Sequence, residues 1–147
     1  RRRTGNHRKP KKPRTMKVVL DTNVLVSGLL SPNGPPASIL NLIVNSRLLL
    51  LYDNRILQEY IEVLHREKFG FDTSAVDSLI SFFISEGEFI AADPIAVEFN
   101  DEDDRMFCEV MTSGGADFLI TGNPAHFPKD PKMKSPAEFL KVYDRIG

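Results

Sequence analysis

The stretch over residues 18–25 constrains the fold most, because an apolar run there ends abruptly in an acid. Val18, Val19 and Leu20 show no alternation with polar residues, which is typical of a central parallel strand covered by helices on both faces. Asp21 follows directly and is expected just beyond the carboxyl end of this strand, where open α/β sheets bind their ligands. Alternatively, Asp21 only caps the next helix, and this stretch alone leaves both interpretations open.

Strand and helix patterns alternate along the rest of the chain, which predicts a three-layer α/β/α domain with a central parallel sheet of four to five strands. Thr22 and Asn23 suit a turn after the first strand, so the first helix is expected to begin near Val24. By the same criteria, helices are expected over residues 24–30, 35–44, 53–65, 72–87, 104–114 and 139–146, and strands over 48–51, 88–92, 117–123 and near 133.

Basic and acidic residues are segregated along the chain. Residues 1–15 carry eight of the 19 basic residues and no acid, so residues 16–147 hold eleven basic residues against 20 acidic ones. An arm of this composition is expected to be disordered and to attract nucleic acid phosphates. Alternatively, residues 1–15 are a vector-derived or upstream extension, since Met16 immediately precedes the first strand. The domain itself is predicted over residues 16–147.

The composition excludes several classes of protein. Cys108 is the only cysteine, so an internal disulfide is excluded, and this residue is more typical of a core than of a nucleophile. A single cysteine also favours a reducing compartment. No segment approaches the roughly 18 consecutive apolar residues of a membrane span, and no signal peptide is evident. We therefore expect a cytoplasmic protein without a membrane partner.

Four consecutive acids, at residues 101–104, stand at the entry to the fifth predicted helix. One or two acids there would suit the helix dipole, but four neighbouring carboxylates repel one another and favour a cation-dependent role. Asp104 shares a helical stripe with Phe107 and Met111, so its side chain is expected to face inward. Asp101 and Glu102 are expected to face outward.

A further acid, Glu59, lies at the boundary of the apolar face of the predicted helix over residues 53–65. Glu62 and Arg55, by contrast, are expected to be solvated. Asp21, Glu59 and the pair at 103–104 could therefore share one crevice. Because the chain has no zinc-type Cys/His cluster, Mg²⁺ or Mn²⁺ is the expected occupant, with Asp21, Glu59, Asp103 and Asp104 as its ligands.

Other families with an acid after the first strand fit less well. A phosphatase of the haloacid dehalogenase type needs a second Asp at position 23, which is Asn. A response-regulator receiver needs a late lysine, where this chain has Thr121, Gly122 and Asn123 after its fourth strand. No P-loop or dinucleotide-binding glycine motif is present.

From Met16 to its end the chain resembles a PIN domain, and specifically the branch often labelled as toxins of toxin–antitoxin pairs. Each matching motif is weak alone, but their order and spacing together are fairly specific. The matching stretches are Val19–Val24, Leu57–Tyr60 with Val63 and Leu64, Asp101–Asp104 with Phe107, Gly114–Asn123, His126–Pro128 and Ser135–Leu140.

The resemblance implies a metal-dependent ribonuclease with a parallel sheet in the order 3-2-1-4-5, acting on single-stranded RNA and leaving a 5′-phosphate and a 3′-hydroxyl. The first three acids of the family map to Asp21, Glu59 and Asp104, with Asp103 as a near neighbour. The fourth position, frequently Asp, falls on Asn123, which can accept a contact from a metal or water but brings no charge. Beside RNA, an antitoxin protein or a second copy of the chain is implied as a partner.

The small polar residues of the motifs are expected to orient water or phosphate. These are Thr22, Asn23, Thr121 and Asn123. His126 is more typical of a structural or substrate-contact residue than of a general acid. Two rival hypotheses stay open: a noncatalytic PIN-like module that binds RNA or protein, which Asn123 favours, and, less well supported, a DNA flap-type nuclease, whose long helical arch this chain lacks.

Overall fold

A five-stranded parallel sheet forms the centre of the molecule. The structure, a computed structural model, describes residues 15–146, so nearly all of the predicted basic arm lies outside the described residues. The sheet has the order β3-β2-β1-β4-β5, which confirms the order implied by the resemblance. Its strands are β1 (Met16–Leu20), β2 (Leu48–Tyr52), β3 (Glu88–Phe89), β4 (Phe118–Ile120) and β5 (Met133–Lys134).

Helices flank this sheet, as the alternating pattern predicted. Helix α5 packs against β1, β2 and β4, while α2 and α6 pack against each other. None of the helices within residues 15–146 is long and apolar enough to cross a membrane. The helices are α1 (Thr22–Leu30), α2 (Pro35–Val44), α3 (Asn54–Leu64), α4 (Thr73–Glu86), α5 (Arg105–Gly114) and α6 (Pro136–Ile146).

The apolar run of β1 occupies the middle of the sheet. Val18, Val19 and Leu20 are fully buried, because β2 pairs with the strand on one side, β4 pairs with it on the other, and helices cover its faces. Leu20 lies opposite Ile120 in the register of β1 and β4. The residues that follow these two strands are therefore neighbours at one edge of the sheet.

Several boundaries differ from the predictions. Helix α1 begins at Thr22 rather than near Val24, because the carbonyl of Asp21 already accepts the amides of Val24 and Leu25. Strand β3 is two residues long instead of five. After Ile90 donates to the carbonyl of Tyr52, the chain leaves the sheet and bonds to side chains of α5 instead.

Candidate active site at the carboxyl edge of the sheet

Asp21 is buried at the junction of β1 and α1, with 7% of its surface exposed. It stands at the N-cap position of α1, but its side chain makes no capping hydrogen bond. Its Oδ2 atom instead accepts a 2.7 Å hydrogen bond from Oγ1 of Thr121. Burial raises the pKa of Asp21, while the bond from Thr121 and the nearby amides of Asn23 and Thr22 oppose that rise. This arrangement does not support the interpretation that the Asp21 side chain only caps a helix.

Thr121 follows β4 and is completely buried. Besides donating to Asp21, its hydroxyl accepts the backbone N–H of Asn123 at 3.1 Å. Thr121 thus links the turn after β4 to the carboxylate after β1. Asn123 itself is exposed, at the start of the short turn Pro124–His126.

Glu59 projects from α3 and is half-buried, as the boundary position predicted. Its Oε2 atom accepts a hydrogen bond from the hydroxyl of Thr22 at the start of α1. Burial raises the pKa of Glu59, the bond from Thr22 lowers it, and repulsion by Asp21 and Asp103 raises it further. Glu59 therefore lies near enough to Asp21 and Asp103 to be affected by their charges, so acids from three separate segments of the chain share one site.

The acidic run at residues 101–104 forms a short 3-10 turn, Glu102–Asp104, ahead of α5. Asp101 caps this turn, because its side chain accepts the amide of Asp103 at 2.9 Å. Asp104 is half-buried whereas Asp101 and Glu102 are exposed, as the helical stripe predicted. Burial, followed by repulsion from Asp21, Asp101 and Asp103, raises the pKa of Asp104 to about 6, although the nearby His126 opposes the rise.

These acids line one cleft of about 480 Å³ at the carboxyl edge of the sheet. Among the described residues, no group of three or more Asp, Glu, His or Cys side chains converges closely enough to hold a metal ion. The donors are nevertheless the oxygen ligands that a hard divalent cation takes, and their mutual repulsion is relieved by a positive charge. The donor set therefore fits such a cation in its chemistry, with side-chain movement needed to bring the ligands together. The five carboxylates of the lining are Asp21, Glu59, Asp101, Asp103 and Asp104.

Glu109 is a buried acid that the sequence reasoning missed. It is 4% exposed, accepts a 2.8 Å bond from Arg55 and accepts the amide of Ile95 at 3.0 Å. Burial opposes its ionisation, but the bonds from Arg55 and Ile95 and the charges of Arg55 and Arg105 outweigh it and lower its pKa. The sequence signal that could have identified Glu109 is its place between two apolar residues, Cys108 and Val110, both of which are buried.

Arg55 was expected to be solvated, and that prediction was incomplete. Its side chain is 47% exposed, yet its guanidinium bridges Asp53 at 2.7 Å and Glu109 at 2.8 Å. It thereby joins the start of α3 to α5. The bridge thus ties α3, which carries Glu59, to α5, which follows Asp104.

Comparison with known proteins agrees with the fold. A family model described as PIN domain matches residues 17–125, and the chain belongs to the PIN domain family. The chain is also similar to the uncharacterized protein MJ1680 of Methanocaldococcus jannaschii, with 31% identity over 151 residues, covering 89% of this chain and 94% of that protein. Proteins of this family are generally nucleases and typically use divalent metals.

Proposed function

We propose that the chain is a metal-dependent endoribonuclease that hydrolyses phosphodiester bonds of single-stranded RNA. The observation that carries this proposal is that Asp21, Glu59 and Asp104, from three distant segments, line one cleft at the carboxyl edge of the sheet. All three have a raised pKa, for which burial is the largest cause, and repulsion by neighbouring acids adds to the rise at Glu59 and Asp104. Such an arrangement is typical of a functional site.

In this proposal Asp21, Glu59 and Asp104, with Asp103 beside them, hold Mg²⁺ or Mn²⁺. When bound, such an ion lowers the pKa of a water molecule and neutralises charge on the phosphoryl oxygens. The chain's own hydroxyls position the ligands: Thr121 donates to Asp21, and Thr22 donates to Glu59.

Two further residues are assigned to water and substrate. Asn23 is exposed and lines the cleft beside Asp21, so its amide is available to orient water or phosphate. Asn123 is assigned the same role from the turn after β4. We expect the products to carry a 5′-phosphate and a 3′-hydroxyl.

The test is cleavage of single-stranded RNA with Mn²⁺ and with EDTA. We expect Asp21→Asn and Asp104→Asn each to reduce the rate at least about 100-fold, since removal of a group that organises the reacting charge has effects of this size. Asp144→Asn, at an exposed position of α6, is the matched control and should cut normally. Equal cutting by all four proteins, each checked for folding by circular dichroism, would refute the assignment.

A noncatalytic module that binds RNA or protein is the second candidate. It is favoured by Asn123, which supplies no charge, and by the lack of a converged group of three ligands among residues 15–146. Calorimetric titration separates the candidates, because absence of Mn²⁺ binding together with retained RNA binding supports the module. The toxin role is a separate proposal, and a small gene adjacent to this one would support an antitoxin partner.

A further inference from the structure

The segment that leaves the end of α3 forms a basic edge on the same cleft. Arg66, Lys68 and Phe69 line the cleft together with the carboxylates. Arg66 and Lys68 are exposed, and Phe69 is half-buried. Among the described residues that line the cleft, Arg66 and Lys68 are the basic ones, and five others are acidic.

The basic edge follows the helix that carries Glu59. Glu59 and Val63 lie one turn apart on α3, and both line the cleft. Helix α3 ends at Leu64, and Arg66 follows in extended conformation, with its backbone N–H donating to the carbonyl of Val63. Four helical residues at 1.5 Å each separate Val63 from Glu59 by about 6 Å along the axis. Because Arg66 comes after Val63 along the chain, it suits a phosphate next to the one at the carboxylates.

The two cations are available to a ligand. The ion pair of Arg66 with Glu62 is 3.3 Å long, and its side chains are 46% and 66% exposed, so little free energy opposes its exchange for a phosphate. The ammonium of Lys68 lies 5.1 Å from the centroid of the Phe69 ring. That ring is stacked on Phe71 at 5.6 Å, which fixes the surface below Lys68.

We propose that Arg66 and Lys68 form a subsite for a backbone phosphate of RNA, adjacent along the strand to the phosphate held at the carboxylates. This inference rests on the proposed ribonuclease function, and it specifies where the RNA strand lies on the protein. Charge supports it, because a polyanionic strand entering an acidic cleft needs cations beyond those at the reaction centre, and Arg and Lys are the residues that neutralise phosphates.

The test is binding of a fluorescent single-stranded oligouridylate to the full chain in EDTA, where the proposed hydrolysis does not proceed. We expect the double variant Arg66→Gln/Lys68→Gln to raise Kd about tenfold and to reduce the salt slope by about 0.7, which corresponds to one phosphate that is no longer neutralised on a single strand. The variant Lys141→Gln/Arg145→Gln removes the same charge from exposed positions of α6 and is the matched control. Equal affinity of the two double variants overturns the subsite, as does a wild type that does not bind.

Crosslinking with an oligonucleotide that carries 4-thiouridine gives a second readout, since the basic residues before position 15 are also expected to attract RNA. Crosslinks to the peptide that contains residues 66–71 support the subsite, and crosslinks confined to residues 1–15 overturn it. The two proposals fail separately. Loss of RNA binding in Arg66→Gln/Lys68→Gln without any metal-dependent cleavage by the wild type refutes only the ribonuclease, whereas cleavage that depends on Asp21 with unchanged binding refutes only the subsite.

Discussion

The hydroxyl of Thr121 donates a 2.7 Å hydrogen bond to the carboxylate of Asp21, joining residues that are 100 positions apart in the chain. The contact exists because β1 and β4 are paired in parallel with Leu20 opposite Ile120, so the next residue of each strand reaches the same edge. A hydroxyl at this place fixes the acid without neutralising it. The register of two strands therefore determines the position of one proposed ligand.

Thr121→Val tests the contribution of this bond. Valine keeps the shape of the side chain but leaves the buried carboxylate without its hydroxyl partner, so we expect the free energy of unfolding to fall by about 2 kcal/mol. The pKa of Asp21 should rise further, because the bond now lowers it. Urea denaturation measures the first effect. Thr112→Val, on the exposed side of α5, is the control, and equal losses in both variants would contradict the prediction.

The place of Asp21 was predictable from the sequence, because a run with no polar alternation identifies a central strand and the acid follows it directly. The inward position of Asp104 was predictable for a similar reason, since Phe107 and Met111 define the stripe. The bond between Thr121 and Asp21 was not, because it depends on the register of strands far apart in the chain. Thr121 was predicted to orient water or phosphate, which stays a prediction, and in the structure its hydroxyl donates to Asp21.

The raised pKa of Asp104 predicts a specific pH dependence of stability without metal. Its folded value of about 6 exceeds the ordinary 3.8, so the folded state binds more protons between these values and its stability falls as the pH rises through them. At pH 7.5 in EDTA, Asp104→Asn should therefore raise the free energy of unfolding by about 1 kcal/mol, after allowance for screening by solvent. Near pH 4 the difference should vanish.

Urea denaturation at both pH values checks this, with Asp144→Asn at an exposed site of α6 as the control. A stabilisation that persists at pH 4 would show that ionisation of Asp104 is not the cause. Addition of Mn²⁺ should reverse the order at pH 7.5, because a ligand that binds the folded wild type stabilises it.

Glu109→Gln tests the ion-pair bridge between α3 and α5. The substitution weakens the hydrogen bond from Arg55 and removes the negative charge that pairs with the Arg55 guanidinium. The side chain of Glu109 is only 6% exposed, so water does not readily replace that partner. We expect a loss of about 2 kcal/mol, less than for a fully buried pair because Arg55 is 47% exposed. Thermal and urea unfolding measure it, with the exposed Glu86→Gln as control. A loss no greater than that of the control would mean that the bridge does not stabilise the fold.

The bridge was missed because helical periodicity describes one helix at a time. Periodicity can place Glu109 on a face of α5 next to the buried Cys108. It does not say which residue of another segment pairs with the Glu109 carboxylate. Its partners Arg55 and Ile95 come from α3 and from the segment after β3, and nothing local in the sequence joins the three. The same reason accounts for Arg66 and Lys68, whose place on the cleft depends on how α3 packs against α1 and α5.

Thr22→Val tests whether the hydroxyl that bonds Glu59 prepares that acid for a cation. The bond lowers the pKa of Glu59 against burial and the charges of Asp21 and Asp103, so its loss should raise that pKa and leave the carboxylate without the hydroxyl that orients it. We expect Mn²⁺ affinity, measured by calorimetry, to fall about tenfold, as for partners that orient metal ligands. Thr22→Ser keeps the hydroxyl and should retain most of the affinity. If both variants bind Mn²⁺ equally, the hydroxyl at position 22 does not act on the metal through Glu59.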